Sequence, residues 1–143
     1  MKLPDVNLFV YAYDTFAPQH ESAKEWLEDV LSGSETVAFA WVALIGFIRL
    51  TTSRQRFGSP WSVEQALGVV DSWLAQPVAT VVHPTSRHAA VLRDLLAPLG
   101  AGGNLTTDAH LAALAIEHGA TLYSHDNDFS RFAGLRWVDP LSG

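Results

Sequence analysis

Apolar positions along this chain fall into short dense runs separated by stretches with helical spacing. Residues 6–13, Val-Asn-Leu-Phe-Val-Tyr-Ala-Tyr, are apolar enough for a helix packed on a sheet, and they follow a short strand that ends at Leu3-Pro4-Asp5. Asp5 is thereby predicted at a strand-to-helix junction. Ala23, Trp26, Leu27, Val30 and Leu31 recur every three to four residues, which predicts a helix over 21–31 with one buried face and a stop at Gly33. A strand over 36–39 and a helix over 41–50, buried nearly all round, come next. After a connection at 57–60, Ser62 and Gln65 have the spacing of a capping box for a helix running to about Leu74. Residues 79–82 read as a β-branched strand and 86–96 as a helix. Pro98, Gly100, Gly102 and Gly103 then break the chain. Thr106 and Thr107 open a helix to about His118, closed by Gly119. A strand over 121–124, a polar turn at Asp126-Asn127-Asp128 and a last strand over 136–138 complete the pattern.

Strands separated by helices along almost the whole length predict an α/β fold with a mainly parallel sheet and helices on both faces. Sites in such sheets form outside the carboxyl ends of the strands. At 143 residues the expectation is a single domain over 1–143.

Composition sharpens this picture. With 48% hydrophobic and 17% charged residues the chain has ample apolar surface for a packed core, and more than one small domain readily hides, which points to a dimer face or a partner groove. The net charge of −6 excludes a general basic sleeve for nucleic acid, so any phosphate must be gripped locally. Arg49, Arg54 and Arg56 offer such a grip, and equally read as a solvated helix end. No cysteine is present, which removes disulfides, thiolate catalysis and zinc-thiolate sites and is compatible with a reducing cytoplasm. The N-terminal residues lack the features of an export signal. The apolar run 37–48 is shorter than the roughly 20 residues that a membrane span needs.

The candidate chemistry lies in aspartates. Asp5 and Asp126 each follow a predicted strand, so a parallel sheet brings both to the same edge, and Asp108 occupies the first turn of the helix that precedes the second of these strands. Like charges this close raise each other's pKa, and a divalent cation resolves the conflict. Oxygen ligands with open positions suit Mg²⁺ or Mn²⁺, which orient water and stabilise charge on a phosphodiester. Each aspartate also has a bland role: Asp5 as a helix cap, Asp108 as a dipole partner, Asp126 and Asp128 as turn formers. His83, His88 and His110 lack H-E-x-x-H spacing, which speaks against a zinc protease, and His125 reads as structural because its strand neighbour Asp126 points the other way. No nucleophile elbow or phosphate-binding glycine loop occurs.

Four segments together resemble the PIN-domain ribonucleases, and within them the VapC toxins of bacterial toxin-antitoxin pairs. They are Leu3-Pro4-Asp5-Val6-Asn7, Arg49-Leu50-Thr51-Thr52, Asn104-Leu105-Thr106-Thr107-Asp108-Ala109-His110 with the alanine-rich stretch after it, and Ser124-His125-Asp126-Asn127-Asp128-Phe129. The resemblance covers nearly the whole chain. It implies a three-layer α/β/α sandwich, Mg²⁺-dependent cleavage of RNA, homodimerisation and neutralisation by a cognate antitoxin. Asp5 matches the family's first acid, Asp108 the third, Asp126 the fourth and Asp128 an additional one. Asp5, Asp108 and Asp126 are therefore expected as catalytic and metal-binding residues, with Asp128 assisting. The family's second acid falls at Gly46, which has no side chain to ligate with, and this departure bears on two-metal catalysis. Two rival readings stand beside the nuclease. One is a degenerate PIN scaffold that binds protein or RNA without cutting. The other is a phosphatase with Asp5 as nucleophile, which is disfavoured by Asn7 where a second aspartate belongs.

Overall fold

The computed structural model describes residues 1–54, 57 and 59–141. Five strands, β1 (Lys2–Pro4), β2 (Val37–Ala40), β3 (Ala79–Val82), β4 (Thr121–Tyr123) and β5 (Trp137–Val138), form one sheet in the order β3-β2-β1-β4-β5. Every pairing in it is parallel. Among the described residues, six α-helices connect or flank them: α1 (Val6–Tyr13), α2 (His20–Leu31), α3 (Trp41–Thr51), α4 (Val63–Leu74), α5 (His88–Leu96) and α6 (Leu105–Glu117). The predicted three-layer α/β/α architecture is the one observed, and element bounds differ from the sequence reading by a residue or two, as helix and strand ends do. No helix among the described residues is long and apolar enough to cross a membrane.

The two faces of the sheet carry separate cores. Along β2, Val37 and Phe39 pack with Phe9, Leu44, Phe47 and Trp73, whereas Ala38 and Ala40 pack with Leu3, Leu122 and the alanines of α6. This follows from the two-residue period of a strand, which sends successive side chains to opposite faces. The first core is aromatic: Phe9 stacks on Trp73 with ring centroids 4.5 Å apart, and Phe47 lies 4.7 Å from the same indole. The second is built from small residues, with Ala109, Ala112, Ala113 and Ala115 letting α6 settle close to the sheet.

Local chemistry sets several element ends as the sequence predicts. The Ser62 hydroxyl accepts from Gln65 N while Gln65 Oε1 accepts from Ser62 N, the reciprocal capping box. Gly119 closes α6 at φ +64°, a conformation with no steric penalty for glycine. One expectation needs correction. Helix α3 is not buried nearly all round: Trp41 and Ile45, one turn apart, are 43% and 59% exposed and continue into exposed Arg49. The apolar content of α3 therefore serves two surfaces, one packed on the sheet and one facing out.

Candidate active site

In the order β3-β2-β1-β4-β5 the chain builds outward from β1 to one side and then returns to its other side, so the topological switch lies between β1 and β4. At such a point the connections leave in opposite directions and open a crevice beyond the strand ends. Pro4 and Tyr123 are in register as the last residues of β1 and β4, and Asp5 N donates to Tyr123 O at 2.8 Å. The next residues on each strand, Asp5 and Ser124-His125-Asp126, consequently emerge side by side. Helix α6 runs back towards the start of β4, so its own first turn, with Asp108, begins at this same edge.

Carboxylate oxygens of Asp108, Asp126 and Asp128 lie within 4.8 Å of one another. Asp5 is outside this tight trio, with its charge acting on Asp108 and that of Asp126 acting on it. Of the expected Asp5, Asp108 and Asp126, the last two lie in this trio, and Asp128 is its third member. Among the described residues one ion pair reaches the trio, Arg131 Nε at 3.8 Å from Asp128 Oδ1, a solvent-exposed contact of small worth.

The bland roles and the clustered ones coexist. Asp5 Oδ1 accepts from Val6 N at 2.7 Å and caps α1. Asp126 Oδ1 accepts from Asp128 N at 2.9 Å and folds the turn that carries Asp128 towards it. Burial, and after it the charges of Asp5, Asp126 and Asp128, push the Asp108 carboxyl up to about 6. Burial also raises Asp5, opposed by its bonds from the Ser124 hydroxyl and Val6 N–H and reinforced by Asp126. An oxygen-only donor set of three converging carboxylates fits a hard divalent cation, and Asp108, Asp126 and Asp128 are the residues able to hold it.

Sequence reasoning missed Ser124. It is buried; its hydroxyl donates to Asp5 Oδ2 at 2.8 Å and accepts from Asn7 Nδ2 at 3.2 Å and Asp126 N at 3.0 Å. That uses the one donor and both acceptor sites of the group. The available signal was a small hydroxyl residue at the strand end, two positions before Asp126. Replacing Ser124 with alanine is expected to lower stability by about 1–3 kcal/mol, since Asn7 and the Asp126 amide lose an acceptor inside the protein. It also raises the Asp5 pKa further. Chemical denaturation together with a carboxyl titration checks both effects.

Other predicted residues sit apart from the acids. His125 Nδ1 pairs with Asp139 Oδ2 at 2.8 Å and its ring meets Tyr11 edge-on. Arg49 and Arg54 are exposed, and Arg56 lies outside the described residues. Gly46 faces α1: a Cβ there would come within 3.1 Å of Val6 Cγ2, next door to Asp5. Its missing side chain lets α3 close on α1, so the acid expected at this position is replaced by a helix contact. A groove of about 510 Å³ lined by Tyr13, Leu27, Leu31 and Trp73 between α1, α2 and α4 includes none of the four aspartates.

The PIN domain family model matches residues 2–135. Ribonuclease VapC37 of Mycobacterium tuberculosis is 47% identical over 140 residues, covering 98% of this chain and 97% of that one. Ribonuclease VapC33 of the same organism is 40% identical over 141 residues, with 99% of each chain covered. Among solved structures, VapBC2 from Rickettsia felis, bound to a DNA fragment from its promoter, superposes with a TM-score of 0.68 at 21% identity, covering 96% of each chain. At that identity the likeness speaks for the fold alone.

Proposed function

Because the chain belongs to the PIN domain family, we propose that it is a metal-dependent endoribonuclease, the toxin of a toxin-antitoxin pair, with Asp5, Asp108 and Asp126 as the acids its reaction needs and with Asp108 and Asp126, joined by Asp128, holding the metal. The observation that carries this reading is the convergence of Asp108, Asp126 and Asp128 within 4.8 Å at the switch point, with the Asp108 carboxyl pushed up to about 6. Cleavage of RNA is carried over from relatives that are 40–47% identical over nearly their whole length and bear the name ribonuclease. Bound Mg²⁺ or Mn²⁺ supplies a Lewis acid that orients water and stabilises charge on the phosphodiester.

The chain's own residues have distinct tasks. Asp108, Asp126 and Asp128 present the oxygens that hold the cation. Asp5 is kept in one orientation by Val6 N–H and the Ser124 hydroxyl and adds negative charge that acts on Asp108. The Asp126 carboxylate, by accepting from Asp128 N, keeps the turn closed. Asp128 also faces Arg131, whose guanidinium is free to swing towards an RNA phosphate.

Partners follow from the same reading. The apolar groove beside Trp73 fits a segment of a cognate antitoxin, and the exposed Trp41 and Ile45 stripe of α3 fits a second copy of this chain in a homodimer. Gly46 favours a second reading, a scaffold that binds RNA or protein without cutting, because one acid of the family pattern is absent. Calorimetric titration with Mn²⁺ separates them: saturable binding lost in Asp126→Asn supports the nuclease, and no binding supports the scaffold.

Binding is also expected to depend on pH. With its pKa raised from 3.8 to about 6, Asp108 holds a proton more tightly in the fold than in the unfolded chain. The metal-free fold therefore has this stabilisation in full below the unfolded value and loses it as pH rises through about 6. Metal affinity runs the opposite way, because the cation displaces that proton. A single competing proton lowers affinity about tenfold per pH unit below this point. Mn²⁺ titrations at a series of pH values check the slope.

A further inference from the structure

On the far side of α6 from the aspartates, three side chains with metal-site chemistry stand in line. His110 and Glu117 are seven residues apart, two helical turns or about 10.5 Å along the axis, and so share one face. His88, the first residue of α5, fills the gap between them: its Nδ1 pairs with Glu117 Oε2 and its Nε2 lies 2.9 Å from His110 Nδ1. We propose that His88 and His110 form a second metal site, for a late first-row transition dication of the Zn²⁺ class, with Glu117 as the residue that orients His88.

The hydrogen bonds decide the tautomer. Glu117 has a fully buried side chain whose Oε1 accepts from Thr85 N at 2.9 Å and Thr85 Oγ1 at 2.5 Å, while Oε2 faces His88. A carboxylate so engaged is an acceptor only, so His88 Nδ1 donates to it; with a neutral His88 ring, Nε2 accepts from His110 Nδ1, and metal binding moves the His110 hydrogen from Nδ1 to Nε2 so that both facing nitrogens offer lone pairs. A histidine whose far nitrogen donates to a carboxylate is the common orientation of a metal-ligating imidazole. Two nitrogens at about 2.0–2.1 Å from a tetrahedral ion are separated by roughly 3.3 Å, so the pair needs to part by only a few tenths of an ångström. The ring planes already meet at 76° instead of stacking. His110 is only partly buried, which leaves the remaining positions to water.

Donor type separates this site from the carboxylate cluster. Imidazole nitrogen suits Zn²⁺, Ni²⁺, Co²⁺ and Cu²⁺, whereas Mg²⁺ takes oxygen. Asp108 is two residues before His110, about 200° around α6, and faces the other way. The nearby guanidinium of Arg87 donates to the Glu117 carbonyl at 3.3 Å, and the Glu117 carboxylate offsets that charge. Occupation of the site would pin the start of α5 to α6.

Titration of the whole protein with Zn²⁺ in saturating Mg²⁺ tests the proposal, with Co²⁺ absorption reporting nitrogen ligation. One equivalent of Zn²⁺ is expected to bind. Affinity should fall at least about tenfold in His110→Gln and in His88→Gln, and about 10- to 100-fold in Glu117→Gln, while Asp126→Asn retains it. Absence of saturable Zn²⁺ binding overturns the proposal, as does binding that both histidine variants keep or that Asp126→Asn abolishes. If His88→Gln or Glu117→Gln fails to fold, His110→Gln decides, because its side chain is partly exposed.

Discussion

Asparagine in place of Asp108 is expected to reduce metal-dependent RNA cleavage by at least about 100-fold, the scale on which losing one preorganised charged group at a reaction centre acts. The substitution keeps the shape of the side chain and removes its charge. It therefore takes one of three converging carboxylates from the cation without disturbing the start of α6. Asp5→Asn is expected to do the same for a different reason. Its amide nitrogen cannot accept from Ser124 or Val6 as an oxygen does, and the buried negative charge outside the trio disappears. Cleavage of a labelled RNA in Mg²⁺ or Mn²⁺, compared between the parent and both variants, is the measurement. Undiminished cleavage by both would remove this cluster from the reaction. Asp108→Asn carries a second signature: above about pH 6 it relieves like-charge crowding, so the metal-free variant should be more stable than the parent, on the order of 1 kcal/mol once solvent screening at a half-buried group is allowed for.

Trp73→Ala should destabilise the fold by about 3–5 kcal/mol, a large share of the 5–15 kcal/mol that holds a typical domain together. The indole is almost fully buried, stacks on Phe9, touches Phe47 and donates from Nε1 to Tyr13 OH at 3.3 Å. Truncation leaves a cavity in the aromatic core and a phenol without its donor. Thermal unfolding is expected to shift downward by more than about 8 °C. Because α4 contributes no group to the acid cluster, cleavage per folded molecule below that transition should stay near the parent's. A shift of only a degree or two would mean that the aromatic core is not what holds this face to the sheet. Asp108→Asn and Trp73→Ala thus fail in opposite ways, one folded and impaired in cleavage, the other active and fragile.

Much of the architecture was legible because it rests on short-range rules. The capping box at Ser62 and Gln65, the glycine stop at Gly119 and the one-faced spacing of α2 are all decided within a few residues. The alternation in β2 was harder to see, since Val37-Ala38-Phe39-Ala40 is apolar throughout and only burial on both faces explains it. Helix α3 was misjudged for the same reason: an apolar run does not say which of its residues meet the core, and Trp41 and Ile45 fall outside.

The aspartates show where that boundary lies. By itself the sequence determined that Asp5 and Asp126 follow strands and that Asp108 opens a helix, and in a parallel sheet this brings all three to one edge. Only the tertiary structure decided that Asp128 joins the tight trio while Asp5 stands outside it, that Ser124 ties Asp5, Asn7 and Asp126 through one hydroxyl, and that Gly46 meets Val6. It also decided that His88, read only as failing a protease spacing, lies between Glu117 and His110. The physical reason is range. Periodicity, caps and turns act over a few residues and can be read along the chain. Contacts between residues from 18 to 119 positions apart depend on strand order, register and helix packing, which arise only when the sheet closes around β1.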